Sequence, residues 1–254
     1  MNENKKIITS SPKKEYYKAQ RRRLLPNQIR KKLTGPELSA KMADEAFTII
    51  RSNLLFALAT KEKKSVLITS AERSAGKSTT SANLAASFSK TGAKTILIDA
   101  DMRLGTQHKN FHTGNQKGLS TLLATRAFLD NELSESVYKI ADNFYLIPSG
   151  PVPPNPAELL ASRQMSVLHE YLLDLYDYVI IDAPPVNLVA DPLVLSDIVG
   201  GTLLVARHKQ TRYEEFARII NILKERKIPF LGAVVGDVNR KHKCYDRNAC
   251  YYNY

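Results

Sequence analysis

The 254-residue chain has only two cysteines, Cys244 and Cys250, both among its last residues. A secreted disulfide scaffold would spread cysteines through its core, so their scarcity points to a reducing, intracellular setting. A C-x5-C pair with only His242 nearby also lacks the ligand spacing of a structural zinc site. Long apolar runs are missing too. Nowhere does a stretch of about 18 apolar residues occur, so no segment reads as a membrane span. The first residues, Met1-Asn2-Glu3-Asn4-Lys5-Lys6, lack the apolar region of a secretory signal. The expectation is a cytoplasmic chain able to bury one sizeable core.

Charge is unevenly placed. Residues 1–40 hold eleven Lys/Arg and three Glu, or +8 of the formal +12, and the remainder is only mildly basic at +4. Residues 1–36 therefore read as a basic flexible arm, punctuated by Pro12, Pro26 and the turn pair Gly35-Pro36. Such an arm is either a solvated tail or a strip that lies on an anionic membrane surface. Nothing outside the arm suggests nucleic acid, which is not an expected partner.

From Glu37 to about Ala59, Ala46, Phe47, Ile49, Ile50, Leu54, Leu55 and Leu58 give a helix an apolar face. Short apolar runs then alternate with helical stretches. Val66–Ile68 leads into the loop Ser70–Gly76 and a helix from Lys77 to about Lys90. Thr95–Ile98 ends at Asp99, and Phe144–Ile147 precedes a Pro-rich turn and a helical stretch over 157–175. Tyr178–Ile181 ends at Asp182. Thr202–Val205 and Phe230–Val235 flank an amphipathic segment over 212–226. This alternation predicts an α/β fold, a mostly parallel central sheet with helices on both faces. Ligands of such sheets bind beyond the carboxyl ends of the strands. The domain would span 37–238. Residues 239–254 show no periodicity but carry Tyr245, Tyr251, Tyr252 and Tyr254, and read as a tyrosine-bearing tail.

Ser70-Ala71-Glu72-Arg73-Ser74-Ala75-Gly76-Lys77-Ser78-Thr79 follows a strand and opens a helix, the context a phosphate-binding loop requires. Backbone N–H groups of Ser74, Ala75, Gly76 and the first helical turn through Thr79 would surround phosphate, favoured by the helix dipole. Lys77 would reach the β and γ oxygens, and the Ser78 hydroxyl would ligate Mg²⁺. Asp99-Ala100-Asp101 and Asp182 place three carboxylates past two further strand ends, the hard oxygen set that Mg²⁺ accepts beside ATP. Acids at strand ends are also common helix caps, but three in this order after such a loop argue for a nucleotide site.

These residues carry a family resemblance. Gly76–Thr79, Ile96-Leu97-Ile98-Asp99-Ala100-Asp101-Met102-Arg103, Asp182-Ala183-Pro184 and the tyrosine tail resemble bacterial tyrosine kinases of capsule and exopolysaccharide systems, in their single-domain form. Arg51–Phe56, Asn115–Ser120 and Gly150–Leu160 extend the likeness from about Asp44 to Tyr254. The resemblance implies a P-loop NTPase architecture like that of division-site and partitioning ATPases. It also implies an autokinase in which Lys77 and Arg103 bind phosphate and Ser78, Asp99, Asp101 and Asp182 surround Mg²⁺. Asp99 or Asp101 would activate the incoming phenol, whose free pKa is near 10. The acceptors would be Tyr245, Tyr251, Tyr252 and Tyr254 of a neighbour in a ring. The implied partners are a transmembrane adaptor of the polysaccharide co-polymerase type and a cognate phosphatase, with the chain held at the inner face of the membrane.

Four positions depart from the family pattern. Arg73 and Ser74 stand where the loop usually has Pro-Gly. Thr48 replaces one charge of a self-association triad with Glu45 and Arg51, which weakens the expected ring. Gly236 removes an asparagine side chain near the base. Two rival readings follow. A silent nucleotide-binding module of an export complex is favoured by the loop changes and opposed by the intact Lys77, Ser78 and three acids. A cycling partitioning-type ATPase would carry a second lysine, and residues 71–75 hold none. Neither a His-Arg-Asp loop nor an Asp-Phe-Gly motif occurs, which excludes a eukaryotic-type kinase.

Overall fold

Two strands, Ser65–Ser70 and Thr95–Asp99, are buried from end to end and form the centre of the fold. The computed structural model describes residues 37–125 and 133–238, with side chains from Ala43 onward. The basic arm and the tail, with Cys244, Cys250 and the four tail tyrosines, lie outside the described residues. In chain order the elements are α1 (Glu37–Leu58), β1 (Ser65–Ser70), α2 (Lys77–Ser89), β2 (Thr95–Asp99), α3 (Gln107–Phe111), α4 (Leu119–Thr125) and α5 (Leu133–Ser136). Next come β3 (Tyr138–Ala141), β4 (Phe144–Ile147), α6 (Pro156–Leu160), α7 (Arg163–Leu175), β5 (Tyr178–Asp182), α8 (Asp191–Ser196), β6 (Gly201–Arg207), α9 (Tyr213–Glu225) and β7 (Phe230–Gly236).

The seven strands form one sheet in the order β3-β4-β2-β5-β1-β6-β7, parallel throughout except for the β3–β4 pair. Every residue of β1 and β2 is buried, because helices cover both faces. Alternation along the strands divides the core. Leu67, Ile96, Ile98, Val179 and Ile181 face one layer with α4, α7 and α8. Val66, Ile68, Leu97, Ile180, Leu203 and Val205 face the other with α1 and α2. The chain runs from β1 outward to β2 on one side and later to β6 on the other. The carboxyl end of β1 is therefore the point where strand order reverses, the place for a ligand crevice.

The helical stretch expected over 157–175 is two helices. Ser162 interrupts it and caps α7, its Oγ accepting from Met165 N at 3.4 Å. A serine side chain at this position competes with the helix for the backbone, which is why the run breaks there. The edge strand β3 was not expected: its Lys139 and half-exposed surface give no apolar run. Of the anticipated self-association triad, only Glu45 makes no bond within the chain among those described. Thr48 Oγ1 donates to Asp44 O at 2.9 Å, and Arg51 Nη1 clamps α1 to α2 through Ser87 O at 2.6 Å and Ser87 Oγ at 3.0 Å.

Candidate active site

The loop after β1 turns into α2 through two residues in the left-handed region, Ser74 at φ 59° and Gly76 at φ 97°. Glycine takes that conformation freely, whereas at Ser74 the Cβ crowds the backbone. Surrounding groups hold the loop in place. Ser70 Oγ donates to Glu72 O at 2.6 Å, and Thr211 Oγ1 donates to the Glu72 carboxylate at 2.6 Å. Arg207, at the end of β6, donates to Ser74 O at 3.5 Å and to Asp237 at 3.1 Å. The first N–H groups of α2 have no acceptor within the helix, which leaves them available to an anion.

Beyond the strand ends lies a cleft of about 390 Å³, lined by Arg73, Ser74, Gly76, Lys77, Ser78, Thr79, Asp101 and Arg103, with Leu104, Pro185 and Leu188 at its rim. A second groove, about 700 Å³, runs between α1 and β7 and shares Ser74, Gly76 and Thr79 with the first. Its walls are mostly aliphatic, with Phe47, Ile50, Val234 and Val238, and Gly236 contributes no side chain. Ala75 is buried and offers the site its backbone only. Arg73 lines the cleft and is exposed to solvent.

Lys77 lines the cleft, the buried Asp182 lies close enough to act on its charge, and Asp99 is buried beside Asp182. Burial pushes the Lys77 ammonium down from its usual range; Asp182 and Asp101 oppose this and Arg73 adds to it. The pairing of β2 with β5 sets Asp99 directly beside Asp182. Burial drives both carboxyls up, Asp182 to about 6 and Asp99 well above the ordinary range, the latter raised further by the Asp182 charge. The hydrogen bond from Gln107, the nearby Ser78 hydroxyl and then the Lys77 charge pull Asp182 back.

The expected site residues divide. Ser74, Gly76, Lys77, Ser78, Thr79, Asp101 and Arg103 come together on the cleft. Asp99 does not: it is wholly buried, Oδ1 accepting from Asp101 N at 3.3 Å and Oδ2 from Gln107 N at 3.0 Å. Arg103 is held away from a free role in phosphate binding by a fork onto the buried Asp191, Nε to Oδ2 at 3.2 Å and Nη2 to Oδ1 at 3.5 Å. Gln107 and Asp191 are functional positions with no signal in the sequence pattern. One polar residue among four in a five-residue helix carries no periodic signal, and Asp191 reads as an ordinary helix start.

Asp182 Oδ1 is buried without a hydrogen-bond partner. That orphaned oxygen, behind Ser78, is what a hard cation would satisfy. Among the described residues no group of three or more His, Cys, Asp or Glu could hold a metal by itself. A cation here would complete its shell with phosphate and water, the habit of Mg²⁺.

Residues 63–226 match the AAA domain family. The tyrosine-protein kinase YwqD of Bacillus subtilis is 40% identical over 202 residues, covering 79% of this chain and 84% of YwqD. The tyrosine-protein kinase wzc of Salmonella typhi is 35% identical over 214 residues, 84% of this chain but 29% of its own greater length. Among solved structures, the kinase domain of Escherichia coli tyrosine kinase ETK aligns with a TM-score of 0.71 at 35% identity, covering 77% of each chain. Fold and loop thus define a P-loop nucleotide-binding protein. Within that class the chain belongs to the bacterial tyrosine-protein kinases and is an enzyme of the transferase type.

Proposed function

We propose that the chain is a Mg²⁺-ATP-dependent autokinase that phosphorylates Tyr245, Tyr251, Tyr252 and Tyr254 of a neighbouring copy. The observation that carries this reading is the convergence of Lys77 and Asp101 on one cleft, with the buried Asp182, whose Oδ1 has no partner, close enough to act on the Lys77 charge. The loop N–H groups and Lys77 hold the β and γ phosphates. Ser78 and Asp182 would hold the magnesium, which supplies charge neutralisation at the phosphate oxygens. Asp99 works from behind, placing Asp101 through the bond it accepts from that residue's N–H.

Asp101 Oδ1 accepts from Leu104 N at 2.9 Å, which fixes the carboxylate at the cleft wall. From there it orients the acceptor phenol and takes its proton as the new O–P bond forms. The bond from the γ-phosphorus to the bridging oxygen breaks, and ADP leaves. The described fold ends at Val238, on the groove beside the loop. Sixteen further residues, 239–254, reach about 50 Å when extended, enough for a neighbour's cleft.

No helix among the described residues is long and apolar enough to cross a membrane. A transmembrane adaptor would bring the chain to the inner membrane face; the greater length of the wzc relative is consistent with a kinase region joined to other segments. Phosphorylation would regulate polysaccharide synthesis and export, reversed by a cognate phosphatase. The three units 1–36, 37–238 and 239–254 serve as basic arm, kinase domain and acceptor tail.

The test is mass spectrometry of the purified chain after incubation with Mg²⁺-ATP, alone and with the adaptor's cytoplasmic segment. Phosphate on the tail that disappears in Lys77→Met, yet appears on the Lys77→Met tail when an active tail-less chain is added, is the expected result. Nucleotide binding with no tail phosphate under either condition would refute the kinase reading and leave the silent module.

A further inference from the structure

Gln107 touches both strand-end carboxylates at once. Its backbone N–H donates to Asp99 Oδ2 at 3.0 Å, and its carboxamide Nε2 donates to Asp182 Oδ2 at 2.7 Å. The residue is fully buried. Asn110 Nδ2 donates to Gln107 Oε1 at 3.2 Å, which settles which end of the carboxamide faces the acids. Nε2 also lies 3.0 Å from Ser78 O and 3.1 Å from Ser81 Oγ, so its two hydrogens serve three acceptors. The shortest of these bonds goes to the carboxylate, where charge strengthens it.

The two acids end up with different oxygens to spare. Asp99 has both oxygens engaged, one of them by the Gln107 N–H. Asp182 has Oδ2 engaged by the Gln107 carboxamide and Oδ1 left without a partner. We propose that Gln107 is a positioning residue that makes Asp182 a ligand of one oxygen only, and so biases the nucleotide-bound cation toward magnesium over calcium. The proposal rests on the magnesium-nucleotide reading of the cleft.

The physical reason is coordination number. Calcium takes six to eight oxygens and often fills them by gripping a carboxylate with both oxygens, whereas magnesium takes six, keeps waters and binds through one or two carboxylates. To grip a cation with both oxygens, Asp182 must turn and break its bond to Gln107. That would forfeit the shortest, charge-assisted bond of the buried carboxamide and leave its hydrogens to the longer, neutral contacts with Ser78 O and Ser81 Oγ. A carboxylate held this way meets magnesium's demand and fails calcium's.

The test uses the full chain and the fluorescent probe N-methylanthraniloyl-ADP, titrated in EDTA, in Mg²⁺ and in Ca²⁺. Gln107→Met keeps length and apolar bulk while removing both side-chain donors. Partners of metal ligands typically alter metal affinity by about 10- to 100-fold. The half-saturating Mg²⁺ should therefore rise about tenfold, with the Ca²⁺ value changed by less than about threefold and the EDTA affinity within about twofold. The Mg²⁺ to Ca²⁺ preference then falls by several-fold. A residue with a merely structural role would weaken all three conditions in parallel, and that result overturns the proposal, as does an unchanged preference. Asn110→Leu frees the carboxamide without touching either acid and should shift the preference the same way by about threefold. If Gln107→Met does not fold, a wild-type preference in Asn110→Leu overturns the proposal by itself. A wild-type chain whose nucleotide affinity ignores divalent cations overturns the cleft reading and this proposal together. Divalent dependence in the wild type with no change in either variant overturns this proposal alone.

Discussion

His169 lies on the buried face of α7 with Met165, Leu168 and Leu172, fully enclosed, and neither ring nitrogen has a hydrogen-bond partner. Burial pushes its pKa down from 6.5 to about 4, and the Lys63 charge adds to the effect. Above pH 6.5 the ring is neutral in both folded and unfolded chains and pH has no effect through it. Below 6.5 the unfolded chain takes up a proton that the folded chain refuses, so stability falls until about pH 4. At about 1.36 kcal/mol per pH unit the loss reaches about 3 kcal/mol. Asp182 acts in the opposite sense. Its raised pKa of about 6 means the folded chain binds a proton first, so its contribution grows as pH falls from 6 toward 3.8 and disappears as pH rises through 6. Asp99, whose carboxyl is also raised, acts in the same sense as Asp182, so the wild-type acid profile mixes the histidine penalty with opposing carboxyl effects. His169→Leu separates them. Removing two buried, unpartnered nitrogens should raise stability by about 1 kcal/mol at pH 7.5, after a small repacking cost. At pH 4.5 the gain should be about 3 to 4 kcal/mol, because the variant keeps the Asp182 contribution and loses the histidine penalty. Urea denaturation in EDTA at the two pH values measures this. A stability difference between variant and wild type that is the same at both pH values refutes the reasoning.

Further outcomes follow from backbone geometry. A Cβ at Gly118 would sit 2.3 Å from Pro148 O and 2.4 Å from Gly150 N, both backbone atoms, so Gly118→Ala should lower stability by about 2 to 3 kcal/mol in a thermal melt. That clash loosens the turn where Leu119 N and Ser120 N donate to Pro148 O and Ser149 O, which hydrogen exchange would register first. At Ser74 the left-handed backbone costs about 1 to 3 kcal/mol. Relieved by Ser74→Gly, it should return a net gain of about 0.5 to 1 kcal/mol, whereas Ser74→Val should cost about 1 kcal/mol or more. Equal melting temperatures for the two variants would show that the loop is not strained.

Much of this architecture is legible before any coordinates. Strands covered on both faces must be apolar throughout, so β1, β2, β5 and β6 announce themselves as runs, and the edge strand β7 carries an equally apolar run although it is half-exposed. Chain order alone then brings Lys77, Asp101 and Asp182 to one end of the sheet, because parallel strands joined by crossovers present their carboxyl ends together. The edge strand β3 escapes because its half-exposed residues resemble a loop, and the break at Ser162 because capping is decided by one side chain. Asp99 is the instructive case. Its position past a strand end resembles that of Asp101, yet it is saturated by two N–H groups in the core.

By itself, then, the order of residues determined the layers of the fold, the phosphate loop and the family to which the chain belongs. These depend on local periodicity and on motifs confined to a few adjacent positions. Tertiary structure decided which acid faces the cleft, that Arg103 is bound to Asp191 across 88 positions, and that Gln107 reaches Asp182 across 75. Such contacts are set by how strands register and helices pack, and neither leaves a local trace along the chain.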